Sequence, residues 1–264
     1  MIHNLLQLPR YRGLIQSLVA RELKARYRGS VLGFFWSFIN PLLLLLIYSF
    51  VFNTVLPGIR PASVEPYALF MFCGILPWTW FSSSLMESSG VLIASGNLIK
   101  KVLFPAEVLP IVTVLANMVH FFLGLPILVG FLIYYSIPLQ LNELIWFPFV
   151  ILVQLILTLG LSLIVSALTV HFRDIKDILS NLLTFWFFAT PIIYPMSMAP
   201  SAGKRYLDMN PFTHLAVSYQ EILFYDGPFG HLKWLLTLGA AAIVLFLVGY
   251  FLFDRLRDSF AEEV

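Results

Sequence analysis

Six long apolar stretches follow one another along the chain, and short polar breaks separate them. A helix needs roughly 20 consecutive apolar residues to cross the hydrocarbon core of a bilayer. The pattern therefore predicts an all-α integral membrane protein with six transmembrane helices, in one domain over residues 33–264. The predicted spans cover residues of about 33–56, 67–94, 106–135, 144–170, 178–195 and 233–253.

The N-terminal segment, residues 1–32, carries too many charges to form a span. On a helical projection Arg21 and Lys24 lie on one face, and Leu14 and Leu18 lie on the opposite face. This pattern is typical of an amphipathic helix at a membrane interface. Two interpretations stay open, a simple membrane anchor and a docking surface for a partner protein.

A short, basic break joins the second and third predicted spans. Its glycine and asparagine favour the end of one helix, and its proline and glutamate favour the start of the next. In chain order these residues and the two lysines between them are Gly96, Asn97, Lys100, Lys101, Pro105 and Glu107. We expect the break to lie on the cytoplasmic side.

The connection between the fifth and sixth spans is the longest and contains its own helical pattern. Asn210 followed by Pro211 is typical of an N-cap and the first residue of a helix. We expect helices that lie in, or dip into, the outer leaflet. The alternative is a surface lid with no role in transport.

Composition agrees with a membrane protein, because 59% of the 264 residues are hydrophobic and only 11% are charged. Soluble domains carry about 25% charged residues. The single cysteine, Cys73, excludes an intrachain disulfide.

The distribution of positive charge predicts the orientation. Twelve of the 16 Lys and Arg residues lie in the N-terminal segment, the C-terminal tail and two alternate connections. Loops rich in these residues stay in the cytoplasm. We therefore expect a multi-pass protein whose N- and C-termini are both cytoplasmic.

Motifs for catalysis are absent from the sequence. It contains no phosphate-binding G-x-x-x-x-G-K-[ST] loop, no H-E-x-x-H and no paired Cys/His cluster. We therefore expect no ATP hydrolysis by this chain, no catalytic residue and no metal site.

Glu87 is the only acidic residue well inside a predicted span. A carboxylate in the membrane usually faces a water-filled interior or a partner. A proton relay, a pore-lining group and a carboxylate hydrated near the inner interface all fit this position.

Aromatic residues make up 16% of the chain, and some share helical faces within the spans. Aromatic rings can stack on the C–H faces of sugars, but they also pack helices and contact lipid. The candidates for a sugar-lining face in the first and fifth spans are Phe34, Phe38, Tyr48, Phe52, Phe185, Trp186 and Tyr194.

Five ordered motifs together resemble a known family. They are RELKARYRGSVLGFFWSFINP at 21–41, NLIKKVLFPAEVLP at 97–110, FRDIKDI at 172–178, ATPIIYP at 189–195 and NPF at 210–212. With these motifs the chain resembles, nearly end to end, the permease subunit of bacterial ABC transporters for polysaccharide export. This group of the ABC-2 type superfamily handles O-antigen, capsule and teichoic acid.

The resemblance implies a homodimer in the bacterial inner membrane, bound to two copies of a separate cytoplasmic ATPase. That partner would bind ATP and magnesium, so this chain would need no cofactor. A lipid-linked polysaccharide would cross through a channel at the dimer interface, with membrane lipids around it and no nucleic acid involved.

The resemblance also implies roles for particular residues. Coupling to the ATPase would use Arg21, Glu22, Asn97, Lys100, Lys101, Pro105 and Glu107. The lipid pyrophosphate would enter beside Arg26, Arg28, Gly29 and Gly33. The aromatic faces of the first and fifth spans would line the channel. An outer gate would include Asn210, Pro211 and Phe212.

Alternative functions fit parts of the same pattern. An exporter of drugs or small lipids would share the superfamily and the topology. An integral-membrane glycosyltransferase or a passive channel would belong to other classes, and neither would require an ATPase partner.

Overall fold

The computed structural model describes residues 8–56, 64–100 and 104–263, and the regular elements in these ranges are helical. The helices are α1 (Arg12–Arg26), α2 (Trp36–Phe50), α3 (Tyr67–Ala94), α4 (Gly96–Ile99), α5 (Val108–Tyr134), α6 (Leu141–Leu144), α7 (Phe147–His171), α8 (Ile175–Phe188), α9 (Ser201–Met209), α10 (Pro211–Leu223), α11 (Leu232–Leu256) and α12 (Phe260–Glu263). The predicted all-α class is therefore confirmed.

Five helical segments in the described ranges are long and apolar enough to cross a membrane. They contain α2, α3, α5, α7 and α11, and short turns at Gly33–Phe35 and Val51–Val55 lengthen α2 to 23 residues. Helix α3 lies at the centre, since 78% of its most apolar window is buried against 11% for α2.

The fifth predicted span, 178–195, differs from the structure. Helix α8 covers only the 14 residues Ile175–Phe188, which is shorter than the roughly 20 that cross a bilayer. The chain then turns at Thr190 and Pro191, because a proline cannot donate the hydrogen bond that would continue the helix. Six continuous spans are thus not seen in the described part of the chain.

Polar side chains join the central helices. The Gln154 amide of α7 donates to the Pro77 carbonyl of α3 at 2.9 Å. The Trp80 indole of α3 donates to the Val114 carbonyl of α5 at 3.2 Å. Each bond satisfies a group that would be costly to leave unpaired among apolar side chains.

Glycine permits the close packing of α7 against α11. A Cβ atom added to Gly249 would stand 2.5 Å from the Gly160 carbonyl oxygen, and one added to Gly160 would meet the Phe246 backbone at 2.9 Å. Larger residues at these two positions would push the helices apart. Small residues at such contacts are a common feature of helix packing in membranes.

The N-terminal helix α1 packs on protein with its apolar side. Leu18 is buried together with Val108 and Val112 at the start of α5. The prediction of an interfacial helix considered lipid or a partner as the cover for this side, but the first turns of α5 cover Leu18. Arg21 and Glu22 remain exposed.

Candidate functional site

A cavity of about 650 Å³ lies between the end of α1 and helices α2, α3 and α5. The cavity wall has a polar part and an apolar part. One part carries polar groups, among them Arg26, Tyr27, Ser37, Asn117 and His120. The other part is apolar and is formed by Leu44, Phe72, Leu76, Trp80 and Phe121. The cavity therefore suits a ligand with a polar end and an apolar end.

Three side chains from α1, α3 and α5 form what we call the cavity cluster: Arg26, Glu87 and Asn117. Glu87 Oε2 lies 2.7 Å from Arg26 Nη2 and also accepts a 2.7 Å hydrogen bond from Asn117 Nδ2. Arg26 Nη1 donates to Asn117 Oδ1 at 3.1 Å. The side chains of Arg26 and Glu87 keep 27% and 39% of their exposure, so the protein covers this ion pair only in part.

A second set of polar contacts stands beside this cluster. The Tyr27 hydroxyl lies 2.6 Å from Ser37 Oγ and 3.2 Å from His120 Nδ1. His120 Nε2 is buried and has no hydrogen-bond partner. An unpaired buried polar atom is uncommon in folded proteins, so His120 offers a donor or an acceptor to a ligand at the cavity wall.

Glu87 borders a second cavity, of about 440 Å³, between α3 and α8. Hydroxyl groups on its wall come from Ser82, Ser83, Ser180 and Thr184. Ser83 borders both cavities. Glu87 does not itself line the first cavity, but its carboxylate contacts Arg26 and Asn117, which do.

The residues predicted to receive the pyrophosphate are only partly together. Arg26 lies in the cavity wall, whereas Arg28 is exposed and does not line it. Gly29 and Gly33 have φ angles of 79° and 50°, a left-handed conformation that glycine adopts most readily. They turn the chain from α1 into the first span, which brings Arg26 and Ser37 to the same cavity.

The predicted channel aromatics divide into exposed and packed groups. Phe34 is 50% exposed and Phe185 is 71% exposed. Phe34 also contacts Phe38 edge to face. Tyr48 and Phe52 stack on each other at 6.3 Å, and they are partly buried.

Two aromatics of the fifth predicted span are engaged within the protein. The Trp186 indole donates to Asn210 Oδ1 at 2.6 Å, and its ring packs against Phe81 at 5.3 Å. The Tyr194 hydroxyl donates to the Phe188 carbonyl at 3.2 Å. Trp186 therefore holds α8 to its neighbours in this structure.

The predicted gate residues anchor α10. Asn210 caps this helix, since its Oδ1 accepts from the Phe212 amide at 3.0 Å, and its Nδ2 donates to the Ala189 carbonyl at 2.9 Å. Pro211 takes the first helical position. Phe212 is completely buried and meets the Trp78 ring at 4.8 Å.

Sequence reasoning missed a group that we call the histidine cluster: Glu221, His231 and His214. The histidines appeared scattered along the chain, but the turn after α10 returns His231 to that helix. His214 Nδ1 lies 3.4 Å from His231 Nε2, and His231 Nδ1 lies 3.2 Å from Glu221 Oε1. His214 also stacks on Trp234 at 4.7 Å. The signal that could have revealed this cluster is the Gly–Pro turn at 227–228.

The hydrogen bonds assign protons within the histidine cluster. His214 Nε2 faces the Asp208 carbonyl at 2.8 Å and must donate to it, so Nδ1 accepts from His231. Burial lowers the pKa of His214, and the neighbouring His231 acts in the same direction.

The predicted coupling residues lie in different environments. Asn97 and Lys100 are exposed, and Lys101 falls outside the described residues. Pro105 and Glu107 are buried, so their side chains are not presented at the surface of this chain, and their coupling role stays a prediction. Glu107 Oε2 instead lies 3.8 Å from Arg257 Nη1. This carboxylate connects the start of α5 to the C-terminal segment.

No group of three or more His, Cys, Asp or Glu residues within the described ranges could hold a metal ion. The candidate site is the cavity cluster with the apolar extension of the first cavity, because Arg26 and Asn117 line that cavity. Its chemistry is that of binding and charge pairing.

Comparison with known proteins identifies the family. The model of the ABC-2 type transporter family matches residues 13–224. The O-antigen export system permease protein RfbA of Myxococcus xanthus is 43% identical over 267 residues, covering 100% of both chains. A Klebsiella pneumoniae protein of the same name is 34% identical over 94% of both chains. The chain belongs to the ABC-2 type transporter family.

A more distant relative has a related role in its name. The polysialic acid transport protein KpsM of Escherichia coli is 26% identical over 78% of this chain and 80% of its own length. The family that the five motifs indicated is thus confirmed, and these relatives are transport proteins for polysaccharides by name.

Proposed function

We propose that this protein is the permease subunit of an ATP-driven exporter that moves a lipid-linked polysaccharide of the O-antigen type out of the cytoplasm. The relatives' names support this substrate class, since two are O-antigen export permeases that cover most or all of the chain. The observation that carries the proposal is the cavity, which has a cationic polar end and an apolar extension.

The cavity matches the lipid and the pyrophosphate of a lipid-linked polysaccharide. A guanidinium such as that of Arg26 binds phosphate oxygens through a planar pair of N–H groups. The partnerless Nε2 of His120 adds a second polar contact. The wall formed by Leu44, Leu76 and Phe121 would receive the first part of a prenyl chain.

The assembly that we propose is a homodimer with two ATPase subunits. Helices α2 and α8 expose apolar faces that a second copy of this chain would cover, for example around Phe185, and the channel would run between the copies. Helix α8 and the turn after it would complete a sixth crossing.

We propose that both termini face the cytoplasm of a bacterial cell, in the inner membrane. The exposed residues Asn97 and Lys100, with Lys101 next to them, would then contact the ATPase. Helix α1 presents a second exposed polar surface on the same side, which includes Arg21 and Glu22.

The test is surface polysaccharide in a strain that lacks the chromosomal gene and carries a plasmid copy. We expect the wild-type gene to restore surface O-polysaccharide. Arg26→Gln should lower the amount of surface O-polysaccharide more than tenfold, because loss of the guanidinium removes a charge-assisted contact of about 1.5–3 kcal/mol. Arg205→Gln is the matched control, since Arg205 is exposed in α9 and far along the chain from the cavity.

Normal surface polysaccharide in the deletion strain would contradict the proposed export function. Full export by Arg26→Gln at wild-type protein levels would contradict a headgroup site at Arg26. Loss of resistance to a small amphiphilic drug, with unchanged polysaccharide, would instead favour a drug exporter.

A further inference from the structure

Glu87 occupies the part of Arg26 that an anionic ligand would use. Its Oε2 lies 2.7 Å from Nη2, the distance of a charge-assisted hydrogen bond. Asn117 holds both partners at once, because its amide donates to Glu87 and its carbonyl accepts from Arg26. Nη2 carries two N–H groups, and the carboxylate takes one of them. A phosphate oxygen that uses this N–H must displace the carboxylate.

We propose that Glu87 is an internal competitor for the anion site at Arg26, and that ligand binding exchanges its carboxylate for a phosphate group. This inference rests on the proposed function, because it concerns the selectivity of the same cavity. Glu87 thereby selects lipids whose headgroup carries at least two negative charges, such as a diphosphate linkage. It rejects those whose headgroup carries one negative charge or none.

Charge explains the selection. The carboxylate brings one negative charge to Arg26, so a headgroup with a single charge gains little from replacing it. A diphosphate brings more charge and more acceptor oxygens, and its oxygens can bind a parallel pair of guanidinium N–H groups. Binding sites commonly gain selectivity from a group that disfavours binding of the wrong ligand.

The exchange is physically accessible because the protein covers the ion pair only in part. Arg26 and Glu87 keep 27% and 39% of their side-chain exposure. Ion pairs that water reaches contribute little net stability, whereas breaking a fully buried pair leaves an uncompensated charge. The polar contacts in the cavity can therefore be exchanged without unfolding a helix.

The displaced carboxylate has a second polar space beside it. Glu87 lines the cavity between α3 and α8, where Ser82, Ser180 and Thr184 present hydroxyl groups. A carboxylate that turns from Arg26 to these hydroxyls changes the charge next to α8. Ligand binding in the first cavity thereby changes the electrostatic environment of α8, the helix that follows α7.

The experiment measures binding of farnesyl diphosphate to the full-length protein in lipid nanodiscs, with farnesol as the uncharged control. Glu87→Gln keeps the shape of the side chain and removes its charge. We expect this variant to bind farnesyl diphosphate at least about threefold more tightly, the size of a partly exposed ion pair. Farnesol binding should not change.

A second isosteric variant should change the affinity for farnesyl diphosphate in the opposite direction. Asn117→Asp places a further carboxylate beside Arg26 Nη1, which lies 3.1 Å from Asn117 Oδ1 in the wild type. We expect weaker farnesyl diphosphate binding. Asp226→Asn removes one negative charge at an exposed site after α10 and serves as the matched control with unchanged affinity. The second variant keeps the inference testable if Glu87→Gln folds poorly.

The outcomes separate the two proposals. If Arg26→Gln abolishes binding while the Glu87 and Asn117 variants bind like the wild type, the competitor role is wrong and the anion site stands. If neither the wild type nor Glu87→Gln binds farnesyl diphosphate better than farnesol, both the anion site and the competitor role are contradicted. Tighter binding by Glu87→Gln and weaker binding by Asn117→Asp supports both.

Discussion

The cavity cluster and the histidine cluster differ in what surrounds them. Arg26 and Asn117 of the cavity cluster line an open space of about 650 Å³, and next to them His120 Nε2 has no partner. The histidine cluster joins α10 to the turn before α11, and hydrogen bonds link its three members in sequence. The first is arranged to exchange partners with a ligand, and the second is arranged to hold helices together.

The aromatic packing follows the same division. Phe72 is buried, and it lies in the wall of the cavity. Phe212 is buried within a group of rings that includes Trp78 and Phe81, at 4.8 Å from each. Phe72 and Phe212 are therefore similarly buried but differently packed. One ring borders empty space, and the other is enclosed.

The largest stability difference should separate these two rings. We expect Phe212→Ala to lower the free energy of unfolding by about 3–5 kcal/mol, and Phe72→Ala by roughly half as much, because the Phe72 ring already lacks neighbours on its cavity side. Chemical denaturation in detergent micelles would measure both. Equal losses of stability would contradict the contrast between the enclosed ring of Phe212 and the ring of Phe72 that borders the cavity.

A matched pair of charge removals comes next in size. Glu221 accepts hydrogen bonds from two backbone amides and from His231, so Glu221→Gln should cost about 1–3 kcal/mol of stability. Glu87→Gln makes the same chemical change in the partly exposed ion pair of the cavity cluster and should cost less than about 1 kcal/mol. Denaturation midpoints at constant pH would compare them. A greater loss of stability for Glu87→Gln would contradict a ligand-binding role for the cavity cluster and a structural role for the histidine cluster.

Acidification should weaken the histidine cluster specifically. Burial lowers the pKa of His214 below its ordinary 6.5, so below about pH 7 the unfolded chain takes up a proton that the folded chain resists. Stability should therefore fall as pH falls, by at most about 1.4 kcal/mol per pH unit. His214→Gln should flatten the dependence of the melting temperature between pH 7.5 and 5.5. An unchanged slope would rule out His214 as its source.

The smallest effect is expected at Tyr27. Tyr27→Phe removes the hydroxyl that lies 2.6 Å from Ser37 and 3.2 Å from His120, and the cavity can supply water in its place. We expect a loss of about 1 kcal/mol or less. Farnesyl diphosphate affinity should change less than in Arg26→Gln, and a change of equal size would place Tyr27 among the residues that bind the headgroup.

Apolar length predicted most of the fold. Helix α3 begins and ends at the residues expected for the second span, because apolar length and flanking turns decide where such a helix lies. The same criterion placed a fifth span at 178–195, where α8 ends at Phe188. Pro191 and Pro195 are visible in the sequence, but how the turn is stabilised through Asn210 depends on a contact between distant segments.

The candidate site could be predicted only in part. Glu87 was singled out as an unusual carboxylate and Arg26 as a phosphate-binding residue. Their contact joins positions 61 residues apart and requires α1 to pack beside α3 and α5. Glu107 illustrates the opposite limit, since a charge in a loop motif was expected on the surface and lies buried beside Arg257. Side-chain direction at a helix start depends on tertiary packing, which a local pattern does not contain.

The most direct test of the central proposal uses the complex of this protein with its ATPase, reconstituted in lipid vesicles. ATP hydrolysis would be measured with and without the lipid-linked O-polysaccharide, for the wild type, Arg26→Gln and the control Arg205→Gln. We predict that the glycolipid stimulates hydrolysis by the wild type and the control, and that Arg26→Gln keeps only basal hydrolysis. Equal stimulation of all three complexes would contradict a headgroup site at Arg26, and no stimulation of any would contradict polysaccharide export.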